Sequence, residues 1–209
     1  MPGRTGRFIS LEGIDGSGKS TQARRLADRL RAMGRDPVLT REPGGAPGAE
    51  DIRRLLVEGD PDRWSPETEI LLFTAARRDH LERTIRPALA AGRDVITDRF
   101  ADSTRVYQGA TRGELRGLVD DIHARVIGIE PHLTLILDMD PEVALTRGLA
   151  RGSGEDRFEE FGLGFQQKLR AGFRALAAEA PARCVLIDAA QDADAIATAI
   201  ADTVTQRLR

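Results

Sequence analysis

Cysteine is almost missing from this chain: Cys184 is the only one in 209 residues. A single thiol excludes an internal disulfide and a cysteine-built metal site. Histidine is scarce too, and His80, His123 and His132 are too scattered in sequence to suggest a metal cluster. Neither charge sign is in excess, with 31 basic against 33 acidic residues, a net charge of −2 and a pI near 6.0. That balance excludes the basic surface expected of a partner for nucleic acid or an anionic membrane. No run of about 18 apolar residues occurs, and the opening MPGRTGRFIS lacks the apolar centre of a signal peptide. The expectation is a cytoplasmic protein with no membrane or nucleic-acid partner. Lysine is the rarest cation: Lys19 and Lys168 are the two, which leaves 29 of the 31 basic residues as arginine. An arginine near a motif therefore carries little weight unless its position gives a reason.

What remains is ordinary for a globular chain, 41% hydrophobic and 31% charged. No repeat, low-complexity tract or linker divides it, so residues 1–209 read as one domain. Short apolar runs at Arg7–Glu12, Pro37–Arg41, Asp94–Asp98, Leu133–Asp138 and Cys184–Asp188 are strand candidates. Ala23, Leu26, Ala27, Leu30 and Met33 recur at helical spacing until Gly34. Ser65-Pro66 reads as an N-cap with proline at the first helical position, opening a helical region to about Ala91 that Pro87 should kink or interrupt. Leu115, Leu118, Val119, Ile122 and Val126 form a stripe ended by Gly128. Asp140-Pro141 starts another helix, and Ile196, Ile200, Val204 and Leu208 mark the last. The stretches 43–48 and 151–157 read as loops. Strands alternating with helices imply an α/β fold: a five-stranded parallel sheet, right-handed crossovers and helices on both faces.

One stretch carries chemistry by itself. LEGIDGSGKST places Gly13, Gly18, Lys19 and Ser20 in the spacing G-x-x-x-x-G-K-[ST], the phosphate-binding loop. Lysine is so rare that an accidental match is improbable, roughly 0.002 per chain of this length. The glycines fall between a strand ending near Glu12 and a helix starting near Lys19. Gly13, Ile14, Asp15, Gly16, Ser17, Gly18 and Thr21 would wrap ATP phosphates with backbone N–H groups, helped by the helix dipole. Lys19 would reach the β- and γ-phosphates and Ser20 would ligate Mg²⁺. Such a loop does not name a reaction. A GTPase would show N-K-x-D, which two lysines placed elsewhere exclude. One sheet, small size and an arginine-bearing loop late in the chain favour a kinase for a small phosphorylated acceptor.

Three further stretches make that specific. TREPGG at Thr40–Gly45, LLFTAARRDH at Leu71–His80 and DRFADSTRVYQG at Asp98–Gly109 resemble bacterial thymidylate kinase, as does R-x-x-x-R-G…D-R-F-E from Arg147 through Glu159. The match runs over essentially the whole chain. The resemblance implies a nucleoside monophosphate kinase-like fold with a short lid at about 147–158. It also implies transfer of the ATP γ-phosphate to dTMP, giving dTDP and ADP, and a homodimer.

Residue by residue, the resemblance implies that Phe73 stacks on thymine and that Arg77, one turn later, donates to a thymine carbonyl. Arg41 and Arg99 would grip the dTMP phosphate. Asp98 would be the acid beside Mg²⁺, with Asp138 at the end of LTLILD as the rival and the DRF context favouring Asp98. Asp15 would bond the deoxyribose 3′-OH, although bacterial members often carry Glu there. Ser103 and Gln108 would line the base pocket and Tyr107 would close under the sugar, preceded by Val106 where the family usually has Ala. Ile14, Asp15, Gly16 and Ser17 contain no arginine, so the chain resembles the form that supplies its catalytic arginine from the lid: Arg151, with Arg157 near it and Arg147 stacking on adenine. Two alternatives stay open: a kinase for another nucleoside monophosphate, and a nucleotide-binding regulatory module without catalysis. Cys184, Trp64 and the three histidines read as structural.

Overall fold

The computed structural model describes residues 5–60, 63–110, 114–149 and 162–208. Five strands, β1 (Phe8–Glu12), β2 (Val38–Arg41), β3 (Val95–Asp98), β4 (Leu133–Asp138) and β5 (Cys184–Asp188), lie parallel in the order β2-β3-β1-β4-β5. All five expected strands form, each within one residue of its expected start. Alternation along β1 and β3 shows how both faces are covered. Phe8 and Val95 pack with Leu81, Ile85 and Ile127, whereas Ile9, Leu11 and Ile96 belong to the cluster of Leu26 and Leu30 on the opposite side.

Nine α-helices are described: α1 (Lys19–Ala32), α2 (Pro47–Val57), α3 (Pro66–His80), α4 (Arg86–Ala90), α5 (Ala101–Thr104), α6 (Arg116–Ile122), α7 (Pro141–Leu149), α8 (Gly162–Glu179) and α9 (Ala193–Arg207). The start signals act as expected. The Ser65 hydroxyl accepts from Thr68 N with Pro66 behind it, and Asp140 accepts from Glu142 N. The helical region after Ser65 continues to Ala90 through a π-helical turn at Leu81–Ile85. The widening falls where the Pro87 ring would otherwise meet the Arg83 carbonyl one turn back.

Two stripes needed correction. Met33 is 63% exposed, because α1 ends at Ala32 and Met33 is its cap. In the Leu115 stripe Val119 is buried, but Leu118 and Val126 are exposed. A π-helical turn at His123–Ile127 adds a residue and hands the core position to Ile127 before Gly128 ends the helix at φ 69. Three helices, the single turn α5 and the longer α2 and α8, had no counterpart in the sequence pattern. α2 begins inside the expected loop at 43–48, with Pro47 at its first position. α8 is disguised by Gly162, Gly164 and Gly172, of which Gly172 is required: a Cβ there would lie 2.9 Å from Val106 Cγ1.

In this strand order the chain leaves β1 toward β2 and β3 on one side, then crosses to β4 on the other. The crevice at the carboxyl end of β1 is therefore the place where a ligand is expected in an open α/β sheet. Register puts Leu11 and Arg41 on either side of Asp98 there.

Candidate active site

The chain leaves β1 at Glu12 and turns back into α1 through the glycine loop. Gly16 passes so near α7 that a Cβ would sit 1.9 Å from the Ala144 carbonyl oxygen. Gly18, at φ 94, occupies the cap of α1 with nothing within 4 Å of where its Cβ would be. One glycine serves packing against the protein and the other leaves the loop open to a ligand. No side chain caps α1, so its first N–H groups face the space above the loop, the arrangement that suits a phosphate. The Lys19 ammonium is buried, donates to the Ile14 carbonyl at 2.8 Å and stands 3.9 Å from Asp15. Burial and the Arg99 charge push it down to about 8.

β3 supplies the opposite wall. The Ser20 hydroxyl donates to Asp98, so the two oxygen ligands expected for Mg²⁺ are already adjacent. The rival, Asp138, is instead held by Arg170, whose Nε and Nη2 reach its two oxygens at 2.7 and 3.1 Å. Arg99 follows at φ 71, a left-handed conformation rare for a side-chain-bearing residue and typical of functional turns. Its guanidinium donates to Asp15 Oδ1, to the Gly13 carbonyl, to Ser103 Oγ and to the Tyr107 hydroxyl. The Tyr107 hydroxyl donates in turn to Asp15 Oδ2 at 2.9 Å. Burial by itself would raise the Asp15 carboxyl, but Arg99 and then Lys19 outweigh it and hold the group at about 2.

Beneath Arg99 lies Glu12, fully buried, which accepts from Phe100 N at 2.7 Å and from Ser103 Oγ at 2.6 Å. Burial, and next the Asp102 charge, push its carboxyl up to about 8. Sequence reasoning overlooked Glu12. Its signal was an acid ending an otherwise unbroken buried strand.

α3 forms the third wall. Glu69, Phe73 and Arg77 are four apart and share one helical face. The buried Arg77 donates through Nε to Glu42 Oε2 at 2.7 Å and through Nη2 to Thr104 Oγ1 at 3.0 Å. His80 bridges Glu42 at 3.0 Å and Thr40 at 2.8 Å. These bonds explain TREPGG physically. Thr40 and Glu42 are the partners of α3, and Gly45 passes where a Cβ would meet both Thr40 and His80, at 2.3 and 2.5 Å. His80 is thus a latch between loop and helix, which its isolation in sequence concealed.

Asp15, Phe73, Arg77, Arg99, Ser103, Tyr107 and Gln108, all expected at the acceptor, line one cavity. Arg53 from α2 lines it too, with its Nη1 donating to the Pro43 carbonyl. It was overlooked because α2 was. Arg41 is the exception: half exposed and paired with Glu50 at 3.1 Å, it lines a neighbouring cavity with Ser20 and Asp98. Arg147 is on α7, with Nη1 3.6 Å from Met139 Sδ. Arg151, Arg157 and the rest of the expected lid beyond Leu149 lie outside the described residues. Cys184 is buried, and burial pushes its thiol up to about 12, consistent with an inert side chain.

The family model for thymidylate kinase matches residues 11–200. A thymidylate kinase of Jannaschia sp. (strain CCS1) is 79% identical over 201 residues, covering 96% of this chain and 97% of its own length. One of Caulobacter vibrioides is 58% identical over 204 residues, covering 97% and 98%. Among solved structures, the crystal structure of thymidylate kinase from Ehrlichia chaffeensis is 34% identical with a TM-score of 0.78, covering 98% of this chain and 99% of that one.

Proposed function

The chain belongs to the thymidylate kinase family, ATP-dependent phosphotransferases that convert dTMP to dTDP, and on that premise we propose how its residues divide the work. The observation that carries the proposal is the Asp15–Arg99 pair, which joins the phosphate loop to the acceptor cavity. Donor and acceptor phosphates brought to the two sides of that pair would meet above Lys19.

The loop from Gly13 to Thr21 takes the ATP phosphates through its N–H groups, and Lys19 follows the transferring charge. In the cavity Phe73 stacks on thymine, Arg77 and Gln108 read its edge, Ser103 supports the pocket, and Asp15 and Tyr107 meet the sugar. Arg99 binds the dTMP phosphate from inside the cavity and Arg41 from the neighbouring one. That phosphate is already ionised at neutral pH and attacks without a general base. The protein's task is alignment and neutralisation of the charge on the moving phosphoryl group. Ser20 and Asp98 offer only oxygen donors, the set that suits Mg²⁺. They would hold the ion, which when bound neutralises phosphate charge. With no arginine in the phosphate loop, Arg151 of the lid at 147–158 supplies a cation on closure and excludes water, while Arg147 stacks on adenine.

The working unit is one domain, 1–209, in a cytoplasmic homodimer. No described helix is long and apolar enough to cross a membrane. Dimerisation is supported by Leu71 on α3, Val126 on the turn packed beside it and Leu118 on α6, all exposed. The test is a panel of nucleoside monophosphates assayed with MgATP. dTMP should be the preferred acceptor, and Lys19→Ala should lower kcat by about 10²–10³ or more while the protein stays folded. Near-normal activity in that variant would remove Lys19 from the reaction.

A further inference from the structure

Gln108 is buried on the π-helical segment Arg105–Ala110, and its side-chain nitrogen donates to Glu69 Oε2 at 3.0 Å. Glu69 is fully buried on α3, two turns before Arg77. A neutral amide can turn either end toward a neighbour, but a carboxylate accepts and does not donate. The NH₂ of Gln108 must therefore face Glu69, and its carbonyl oxygen is turned to the cavity that the residue lines.

We infer that Glu69 is a positioning residue: by fixing which end of the Gln108 amide faces the cavity, it determines which pyrimidine the enzyme accepts. The inference rests on the reading of this cavity as the dTMP site. Arg77, on the same face of α3, has donors and no acceptor, and its Nε and Nη2 are already held by Glu42 and Thr104. The base wall thus offers an acceptor from Gln108 and a donor from Arg77. A 2,4-dioxopyrimidine presents the complement, an N3–H donor and an O4 acceptor. A 4-aminopyrimidine presents the reverse, an N3 acceptor and an amino donor, so both contacts fail at once. Gln108 could satisfy N3 of cytosine by flipping, and the buried carboxylate forbids the flip. A site built on paired hydrogen bonds rejects the mismatched analogue strongly because its own buried groups are left unsatisfied.

The experiment compares kcat/KM for dTMP and dCMP in the full-length protein and two variants. The unaltered enzyme should favour dTMP by at least about a thousandfold. Glu69→Gln keeps the shape but lets either end of Gln108 face the cavity. The dTMP:dCMP ratio should fall at least about tenfold, with KM for dTMP rising by more than kcat falls. Exchanging the partners, Glu69→Gln with Gln108→Glu, returns an acceptor to the cavity wall and a donor behind it, and should recover most of the ratio. A ratio unchanged in Glu69→Gln, even with a lowered Tm, would make Glu69 merely structural and overturn the inference. So would a folded exchange variant that does not discriminate, a result that decides the matter even if the single variant does not fold. If the unaltered enzyme turns over dCMP as well as dTMP, or neither, the dTMP reading fails first, before any variant is compared.

Discussion

Tyr107 is held from three directions. Its hydroxyl is bonded to Asp15 and Arg99, the Arg99 guanidinium lies 5.0 Å from its ring centre, and Phe165 and Phe173 meet its ring at 6.2 and 6.3 Å, close to edge-on. A ring so fixed cannot move aside for an extra substituent on the sugar, and a 2′-hydroxyl left unpaired against it costs about 1–3 kcal/mol. The enzyme should prefer dTMP to its ribose counterpart by at least about tenfold in kcat/KM. Tyr107→Phe should keep most of that preference although it loses both hydroxyl bonds, because the ring does the excluding. Tyr107→Ala should erode it. Measuring both nucleotides with all three proteins decides the matter, and an Ala variant that discriminates fully would take Tyr107 away from the sugar.

At the scale of elements, the site depends on short segments locked to their neighbours. The stretch from Arg99 to Ala110 passes from a left-handed residue through α5 into a π-helical turn. Such turns are costly and tend to mark functional sites. Glu12 anchors its start at Phe100 and Ser103. Arg105 and Arg183 close on the buried Asp102 in its middle. The phosphate loop is fixed differently, by contact of Gly16 with α7. Gly16→Ala would press a methyl group into the Ala144 backbone at φ 80. It should cost about 1–3 kcal/mol of stability, and Tm falls about 2–4 °C for each kcal/mol in a protein of this size. Gly18→Ala carries the left-handed strain at φ 94 but meets open space, so it should disturb Tm less and ATP binding more. Thermal melts with and without ATP separate the two, and equal Tm losses would count against this division of roles.

For the whole molecule, the sheet order brings the ends of β1 and β3 together at the switch point, and everything chemical is gathered there. On the outside of the molecule Leu71 of α3 and Leu118 of α6 are exposed, Leu71 by 58%. α3 carries Glu69, Phe73 and Arg77 on its cavity side, so a partner packed on the outer side would steady the base wall as well. Sedimentation should show a dimer for the unaltered protein at micromolar concentration and a monomer for Leu71→Arg, with a raised KM for dTMP in the monomer. A monomeric unaltered protein would refute the dimer.

Local chemistry was legible in the sequence wherever one short stretch held all of its determinants. The phosphate loop, the five strands, the Ser65 and Asp140 caps and the Gly128 stop each depend on residues within a turn or two of one another, and each forms where it was expected. α2 and α8 were not legible, because glycine and proline obscure their periodicity and a glycine such as Gly172 answers to a neighbour far away in sequence. The same holds within the site. Glu12, Glu42, Glu69 and His80 look like unremarkable acids and an isolated histidine along the chain, yet their roles are set by partners 35 to 91 residues away. Arg41 and Arg99 look alike in sequence, and tertiary structure alone sends one to the half-exposed edge and the other into the cavity. The sequence by itself determined that this chain binds nucleotide phosphates, because a loop and one lysine suffice for that. How the base of the acceptor is read was decided by tertiary structure, because hydrogen-bond polarity in a pocket is a property of pairs, and the chain brings those pairs together only on folding.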